Sequence, residues 1–428
     1  MIFCKKAGWG MALLFLCLIF GTERTQKIEA AVQNVPESLE EESRLDTVGT
    51  DQETERAAVR EKKGQQEKEA GDTETDQAAA AQDELLAELD FDAIQQEVDS
   101  LLSSQQFSFA GTVRSLLQDG DPFRIFRAGN AVLSCAKTAF LAQKGLMKEL
   151  FLLVLAGAVL GSFSSLFEGK QVRDASFYMV YLLALALILK NFQSSGENLK
   201  AVITSLVAFM RILTPSYYLA AAAAGGASSA VMFYQMLLLV ILAVEKLLLA
   251  LVLPMIHIYL LIALVNDLSG EEILSHMTEL LETCVNGLLK SSLGVLVGMQ
   301  MIRNLIAPAL DSLRQMALWR TAGMIPGIGN AVNAVTELVA GSAVLIRNCF
   351  GVTAMLVLLA AGMVPAVQLL VSGLSFRLLA AAAQPVSDKR IAGCLAAAGK
   401  GYAMLLRLLL TVEVLFLLTI AILAGTFS

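Results

Sequence analysis

The feature that most constrains the fold of this chain is a succession of apolar stretches, most of them long enough to cross a lipid bilayer. A helix needs roughly 20 apolar residues to cross a hydrocarbon core of about 30 Å. Because a backbone in lipid must satisfy its polar groups internally, helices are the expected spanning elements. The sequence therefore predicts an all-α, polytopic membrane domain over residues 149–428, with about seven or eight transmembrane helices. The candidate stretches are 150–167, 174–192, 201–224, 229–266, 285–306, 329–348, 350–376 and 402–425.

The N-terminal segment, residues 1–31, has the pattern of a secretory signal peptide. Lys5 and Lys6 precede the apolar run Trp9–Phe20, which is too short to span a bilayer comfortably. Small residues suited to a cleavage site are scarce directly after this run, so an uncleaved anchor is the alternative. In either case, the chain that follows is expected outside the cytoplasm.

The next segment is strongly acidic. Residues 37–99 carry 21 acidic and 6 basic residues, a net charge of −15, whereas the whole chain has −7, so the remainder has +8. Residues 32–82 show no apolar periodicity, and such a composition cannot bury enough surface to offset its ordering entropy. They are predicted to be a disordered acidic tether.

Residues 83–148 are predicted to form amphipathic helices outside the cytoplasm or at the membrane interface. In DELLAELDFDAIQQEVDSLL, apolar residues such as Phe91, Ile94 and Val98 recur at helical spacing. A second such piece, PFRIFRAGNAVLSCAKTAFLAQ, leads toward the first apolar stretch. These helices are expected to bind partners or the membrane surface.

The orientation of the loops follows from their charge, since short cytoplasmic loops collect Lys and Arg. With residue 148 outside and 229–266 counted as one kinked crossing, the acidic loop after residue 266 falls outside. The loop with Lys389 and Arg390 then falls inside, provided that 329–348 crosses the membrane separately. A re-entrant pair in that region is the alternative.

The stretch GMIPGIGNAVNAVTELVAGS, residues 323–342, is rich in small residues. Helices in lipid associate through close backbone approach, which residues such as Gly341 permit. Pro326 removes a backbone donor and requires shelter by protein or by a wet cavity. Both a packing surface and a broken helix that gates a passage fit this pattern.

Several ionisable residues lie within the apolar stretches, where each costs roughly 2.5–3.5 kcal/mol at a helix centre. Arg407 and Glu413 are six residues apart and cannot pair on one face of a helix. Structural pairing with other helices and a transport path remain open for the set. Its members are Arg211, Glu245, Lys246, Glu337, Arg407 and Glu413.

Catalysis and metal binding find no support in the sequence. His257 and His276 are far apart, and the six cysteines form no CxxC pair. The stretch GCLAAAGKG has the wrong spacing for a phosphate-binding loop. No basic groove with aromatic residues suggests nucleic acid. We expect no enzyme activity, no cofactor and no metal.

The order of these segments, together with GMIPGIGNAVNAVTELVAGSAVLIRN and PVSDKRIAGCL, resembles the stage III sporulation protein AE family. The resemblance implies a noncatalytic membrane subunit of a channel- or secretion-like assembly that joins mother cell and forespore in endospore formers and supports the forespore after engulfment. The implied partners are other stage III sporulation A membrane proteins and a secretion-type ATPase, besides membrane lipid. The implied location is the mother-cell membrane around the forespore, with the N-terminal region outside the cytoplasm, and a homo-oligomer is a further option.

A second hypothesis comes from the buried carboxylates alone. Glu245, Glu337 or Glu413 would couple protons in a self-sufficient secondary transporter. No clear duplication of halves supports this reading.

Overall fold

The structure is a computed structural model. It describes residues 90–102, 107–119, 129–164, 170–223, 228–269, 274–322, 329–385 and 387–425. The predicted signal peptide and acidic tether lie outside the described residues.

Helices form nearly all of the described chain. In chain order they are α1 (Phe91–Leu101), α2 (Phe109–Asp119), α3 (Gly129–Ser164), α4 (Lys170–Ala223), α5 (Ser228–Leu247), α6 (Leu253–Ser269), α7 (Ser275–Ala322), α8 (Gly329–Ala383) and α9 (Lys389–Gly425). A π-helical segment, Leu248–Val252, joins α5 to α6. The all-α prediction is confirmed for the described part of the chain.

The predicted amphipathic helices α1 and α2 form a hairpin. The Asp90 carboxylate caps α1 by accepting from the Ala93 N–H at 3.1 Å. The Gln95 side chain closes the hairpin, since it donates to the Phe107 carbonyl at 2.7 Å and accepts from the Phe109 N–H at 2.8 Å. The amphipathic pattern thus predicted α1 correctly, whereas α2 lies between the two pieces that the pattern singled out.

The apolar faces of this hairpin are buried against the same chain. The Phe109 ring lies 5.0 Å from the Phe350 ring of α8, and Phe91 lies 6.1 Å from it. Tyr217 of α4 joins the same aromatic cluster, 6.1 Å from Phe350. These faces are therefore taken up by intramolecular packing rather than left free for a partner.

Five helical runs in the described residues are long and apolar enough to cross a membrane, by length and composition. They are Phe177–Tyr217, Leu238–Ser269, Ser275–Met299, Ala343–Ala383 and Lys389–Ala421. The predicted stretch 150–167 begins in α3, which is not among them. Within the described ranges, the expected count of seven or eight spans is therefore not confirmed.

One reason for the lower count is that α4 is a single helix of 54 residues where two spans, 174–192 and 201–224, were predicted. The polar residues between them were read as a loop. Instead, Ser195 donates to the Asn191 carbonyl one turn earlier, at 2.9 Å, and the Asn191 side chain donates to Tyr402 of α9 at 2.6 Å. Because a neighbouring helix satisfies these polar groups, α4 continues through them.

The same correction applies to α8, a helix of 55 residues that covers the predicted spans 329–348 and 350–376. Two separate spans would need a turn at Asn348 and Cys349, with Arg347 at the membrane surface, but the helix continues through these residues. Arg347 is only 1% exposed. The charged side chain therefore marks a buried contact in mid-helix rather than a turn at the membrane surface.

The predicted placement of two loops on opposite sides of the membrane is wrong. The Arg390 guanidinium donates to the Leu268 carbonyl at 3.3 Å. A Cβ added at Gly393 would lie 3.1 Å from the carboxylate atoms of Asp267. The acidic end of α6 and the basic start of α9 thus lie together, because the merging of 329–348 and 350–376 into α8 leaves two crossings between them where three were predicted.

The start of α4 lies at this place too. The Tyr181 hydroxyl donates to the Leu264 carbonyl of α6 at 2.5 Å. The Arg390 guanidinium lies 5.5 Å from the ring centre of Phe177. We call this meeting of the α6 end with the α4 and α9 starts the α6–α9 end.

The predicted single crossing over 229–266 agrees with the helical run that α5, the π segment and α6 form without interruption. Pro254 has no N–H and would leave an α-helical carbonyl unbonded. In the π segment the Leu253 N–H instead bonds to the Leu248 carbonyl, five residues earlier. Such a π bulge lets the helix pass the proline without breaking.

Helix α9 lies at the centre of the helical body. Two thirds of its span, 67%, is buried, against 22–44% in the other four spans. It packs against α4, α6, α7 and α8. At the crossing with α8, a Cβ at Gly399 would lie 3.3 Å from the Gly373 carbonyl oxygen and 2.8 Å from Arg377 Cγ. The close approach of these helices therefore requires glycine.

Candidate functional site along the central helix

The candidate functional site is a series of polar side chains on α9, each of which meets a different part of the body. We call these residues, Cys394, Tyr402, Arg407 and Glu413, the α9 polar column. Cys394 is buried beside the Tyr181 hydroxyl of α4.

Tyr402 is the hub of a polar contact between α9 and α4. Its hydroxyl accepts from the Asn191 amide at 2.6 Å and lies 3.2 Å from the Ser195 hydroxyl. Its ring stacks on Phe376 of α8, with ring centres 5.2 Å apart. A buried hydroxyl in lipid is stabilised by such partners, which makes Tyr402 a fixed structural contact.

His257 of α6 completes this level of the body. Its Nδ1 bonds to the Leu253 carbonyl at 2.9 Å, and its ring meets the edge of Phe192 at 5.3 Å. A Cβ at Gly196 of α4 would lie 2.6 Å from the imidazole ring. The glycine thus makes room for the histidine. In the part of the chain that the structure describes, no group of three or more His, Cys, Asp or Glu residues could hold a metal ion.

Arg407 points toward α7. Its guanidinium donates to the Asn286 side-chain oxygen at 3.0 Å, and the arginine is half-buried. As the spacing of six residues predicts, it does not meet Glu413. A charge-assisted hydrogen bond of this kind ties the central helix to a peripheral one.

Glu413 points toward α8 and is 1% exposed. Neither carboxyl oxygen has a hydrogen-bond partner among the described residues. Its carboxyl group occupies the place that a side chain at Gly362 would take. An acidic group in such surroundings is costly if ionised.

Glu245 and Lys246, which are neighbours on α5, have different surroundings in the structure. Glu245 is buried, with its Oε2 lacking a hydrogen-bond partner in the described part of the chain, whereas Lys246 is exposed. Arg211 of α4 is exposed as well, and it acts electrostatically on Glu245 together with Lys246. The predicted angle of about 100° between neighbouring side chains explains the split.

The small-residue stretch lies largely beyond what the structure describes. Pro326 is outside the described residues, and for Glu337 only the helical backbone of α8 is described. Gly341 is exposed, and no described heavy atom lies within 4 Å of a Cβ added there. Of these three residues, Gly341 alone can be placed, and it makes no close contact with the α9 polar column.

Sequence reasoning missed several residues of the site. Gly362 and Gly373 provide the close approach between α8 and α9 that was expected at residues 323–342. Asn191 was placed at the end of the predicted span 174–192, and Ser195 between this span and the next. Their spacing of four residues, on one face of a helix, is the signal that could have identified them as a buried contact.

Comparison with known proteins gives a consistent result. The family model described as "Stage III sporulation protein AE" matches residues 107–426. The stage III sporulation protein AE of Bacillus subtilis (strain 168) is 22% identical over 291 residues, which covers 67% of this chain and 73% of that protein. No solved structure matches. Since the family model covers α2 to α9 and all five candidate spans, the chain belongs to the stage III sporulation protein AE family.

Proposed function

We propose that this chain is a membrane subunit of a multiprotein channel- or secretion-like assembly that connects mother cell and forespore and supports the forespore after engulfment. The observation that carries the proposal is membership of the sporulation family across all five candidate spans, which supports a role in sporulation. The proposed partners are other stage III sporulation A membrane proteins and a secretion-type ATPase. We assign no reaction to the chain itself.

The arrangement of the helices supports a subunit that is stable by itself and presents its periphery to others. The polar groups of α9 that find partners find them inside the chain, as Tyr402 and Arg407 do. Helix α7, by contrast, has the least buried span, 22%. Its side chains Val295 and Met301 are more than half exposed among the described residues. A peripheral helix of this kind suits contact with lipid and with other membrane subunits.

We further propose an orientation. The starts of α4 and α9 carry Lys170, Arg173, Lys389 and Arg390, so the α6–α9 end is assigned to the cytoplasm. Tyr217 follows Tyr181 by 36 residues of α4, a rise of about 54 Å, which exceeds the bilayer core. Because the α1–α2 hairpin packs beside Tyr217, this assignment places the hairpin outside the cytoplasm.

A crosslinking experiment tests the subunit proposal. A photo-crosslinking residue is placed at Val295, which is 52% exposed, and at its neighbour Leu296, which is fully buried and serves as the matched control. Leu182 and Leu374, on α4 and α8, extend the test to two further exposed faces. In sporulating cells, we expect at least one exposed position to capture another stage III sporulation A membrane protein, and Leu296 to capture none.

Two results would contradict the proposal. One is that no exposed position captures another membrane subunit while the protein is present at normal levels in sporulating cells. The other is ion-coupled uptake by the purified chain alone in liposomes, which the transporter hypothesis requires. Deletion of the gene should in addition arrest forespore development after engulfment.

A further inference from the structure

Glu413 is a titratable group that neither the packing of α9 nor the proposed function explains. It is almost fully buried where α9 meets α8, and both carboxyl oxygens lack hydrogen-bond partners among the described residues. Most buried polar groups in proteins are hydrogen-bonded, so an exception of this kind needs a physical account. The position of Gly362 directly opposite shows that the space for the carboxyl group is provided by the neighbouring helix.

Among the described residues, no charged side chain acts electrostatically on this carboxyl group. Its burial alone affects the balance between its neutral and charged forms. On α9, Arg407 is bonded to Asn286 of α7. On α8, Arg347 and Arg377 each lie 15 residues from Gly362, about 22 Å along the helix axis. Lys290 of α7 is exposed.

The two remaining helices that pack against α9, α4 and α6, likewise supply no charged partner for Glu413 among the described residues. Arg211 of α4 is exposed, and its described electrostatic contact is with Glu245 of α5. The described titratable groups on α6 are His257, Tyr259 and Asp267, the last at the α6–α9 end. His257 bonds to the Leu253 carbonyl and packs on Phe192. A carboxylate without a cation or donor costs several kcal/mol inside a membrane protein. The Glu413 carboxyl group thus requires a positively charged ligand, and this ligand must need few coordinating atoms besides the carboxyl oxygens.

The chemistry of the surroundings selects the ligand. A metal cation such as Na⁺ or Ca²⁺ needs several oxygen ligands, whereas a proton needs one carboxyl oxygen. A protonated carboxyl group is also a donor, and the carboxyl group faces the α8 backbone at Gly362. Pro365 has no N–H, so the carbonyl of Ala361, the residue before Gly362, loses the donor that an α-helix would give it.

We propose that Glu413 and the backbone of Ala361 and Gly362 form a proton-binding site that holds α8 and α9 in close contact. With the proton bound, the carboxyl group is neutral and donates toward the α8 backbone. When the proton leaves to solvent, a carboxylate remains in an apolar interface, and the contact between the helices is weakened. The inference goes beyond the proposed function and does not depend on it.

Infrared spectroscopy tests the site directly in the purified full-length protein in lipid nanodiscs. At neutral pH, we expect the carbonyl-stretch band of a protonated carboxylic acid. Glu413→Gln should abolish the band, whereas Glu279→Gln, at an exposed position of α7, should leave it unchanged. A band that persists in Glu413→Gln overturns the proposal, as does a wild-type spectrum without the band.

A stability measurement tests the coupling to the helix contact. If the folded chain holds a proton that the unfolded chain releases at neutral pH, stability falls as the pH rises, by roughly tenfold in the unfolding equilibrium per pH unit. Glu413→Gln should lose this dependence, and the apolar Glu413→Met provides a second variant if the first does not accumulate. Equal pH dependence in the wild type and a variant contradicts the coupling. If neither variant accumulates, the wild-type band at neutral pH decides, with Glu245→Gln and Asp267→Asn as variants that should retain it.

Discussion

Helices α9 and α7 contain the same kinds of residue but have different surroundings. Both are long apolar helices interrupted by glycines and polar residues. On α9, a Cβ at Gly401 would lie 3.0 Å from the Phe192 ring, and one at Gly399 would lie 2.8 Å from Arg377 Cγ. On α7, no described atom lies within 4 Å of a Cβ at Gly287 or Gly294. Local composition thus does not reveal whether a glycine serves a contact within the chain, and only the neighbouring helices decide this.

The polar residues show the same difference. On α9, Tyr402 is buried and Arg407 is half-buried, and neighbouring helices supply their hydrogen-bond partners, because lipid offers none. On α7, Asn286 turns toward α9 and binds Arg407, whereas the exposed Lys290 lies four residues later. Substitutions on α9 should therefore affect the fold of the isolated protein more than matched substitutions on α7.

The largest effect is expected from overpacking the α8–α9 crossing. Gly399→Leu would force a side chain against the Gly373 carbonyl and Arg377, which should lower the free energy of unfolding by about 3 kcal/mol. The control is Gly294→Leu on α7, where the side chain enters open space. Denaturant unfolding in detergent measures both. Equal losses in the two variants would abolish the distinction between the helices.

A smaller effect is expected at the contact between the two helices. Arg407→Leu removes a charge-assisted hydrogen bond and should cost about 2 kcal/mol of stability. Asn286→Leu should cost less, and the double variant should lose less than the sum of the two, with a coupling of roughly 0.5–1.5 kcal/mol. A double-mutant cycle by unfolding in detergent measures this coupling. Additive losses would show that the 3.0 Å contact contributes nothing.

The smallest effect is expected at Tyr402. Tyr402→Phe keeps the ring contacts but removes the acceptor that Asn191 uses, so a loss of about 1 kcal/mol is expected. Tyr178→Phe, at an exposed position of α4, serves as the control and should change nothing measurable. Thermal unfolding of the two purified variants compares them. A loss at Tyr178 equal to that at Tyr402 would contradict the assignment of Tyr402 as a buried hub.

The sequence predicted the helical class of the fold well, but it predicted the bounds of the individual helices less well. Hydropathy predicted helices, and the amphipathic period predicted α1, to which Phe91 belongs. Segmentation failed at Ser195, which lay between two predicted spans, and at Arg347, which lay near the end of another. These residues are instead satisfied or buried by contacts with other helices, which a hydropathy pattern along one chain does not contain.

The candidate site was likewise predicted only in part, because its contacts join distant parts of the chain. Arg407 and Glu413 were identified from the cost of a charge in lipid, and the prediction that they do not pair is correct. Their true neighbours, Asn286 and Gly362, could not be predicted, since each lies more than 50 residues away along the chain. The error in the relative side of the acidic and basic loops arose from the merging of two predicted spans into α8, because one miscounted crossing inverts the later assignment.

The most direct test of the arrangement is the sidedness of the α6–α9 end. Ser269→Cys and Lys389→Cys, both at exposed positions, are placed singly in a chain whose six native cysteines have been replaced. A membrane-impermeant thiol reagent is then added to one side of oriented membranes and afterwards to both. The structure predicts that both cysteines are labelled from the same side. Labelling from opposite sides would contradict the continuous helix α8, which leaves two crossings between these positions, and the contact between the α6 end and the α9 start.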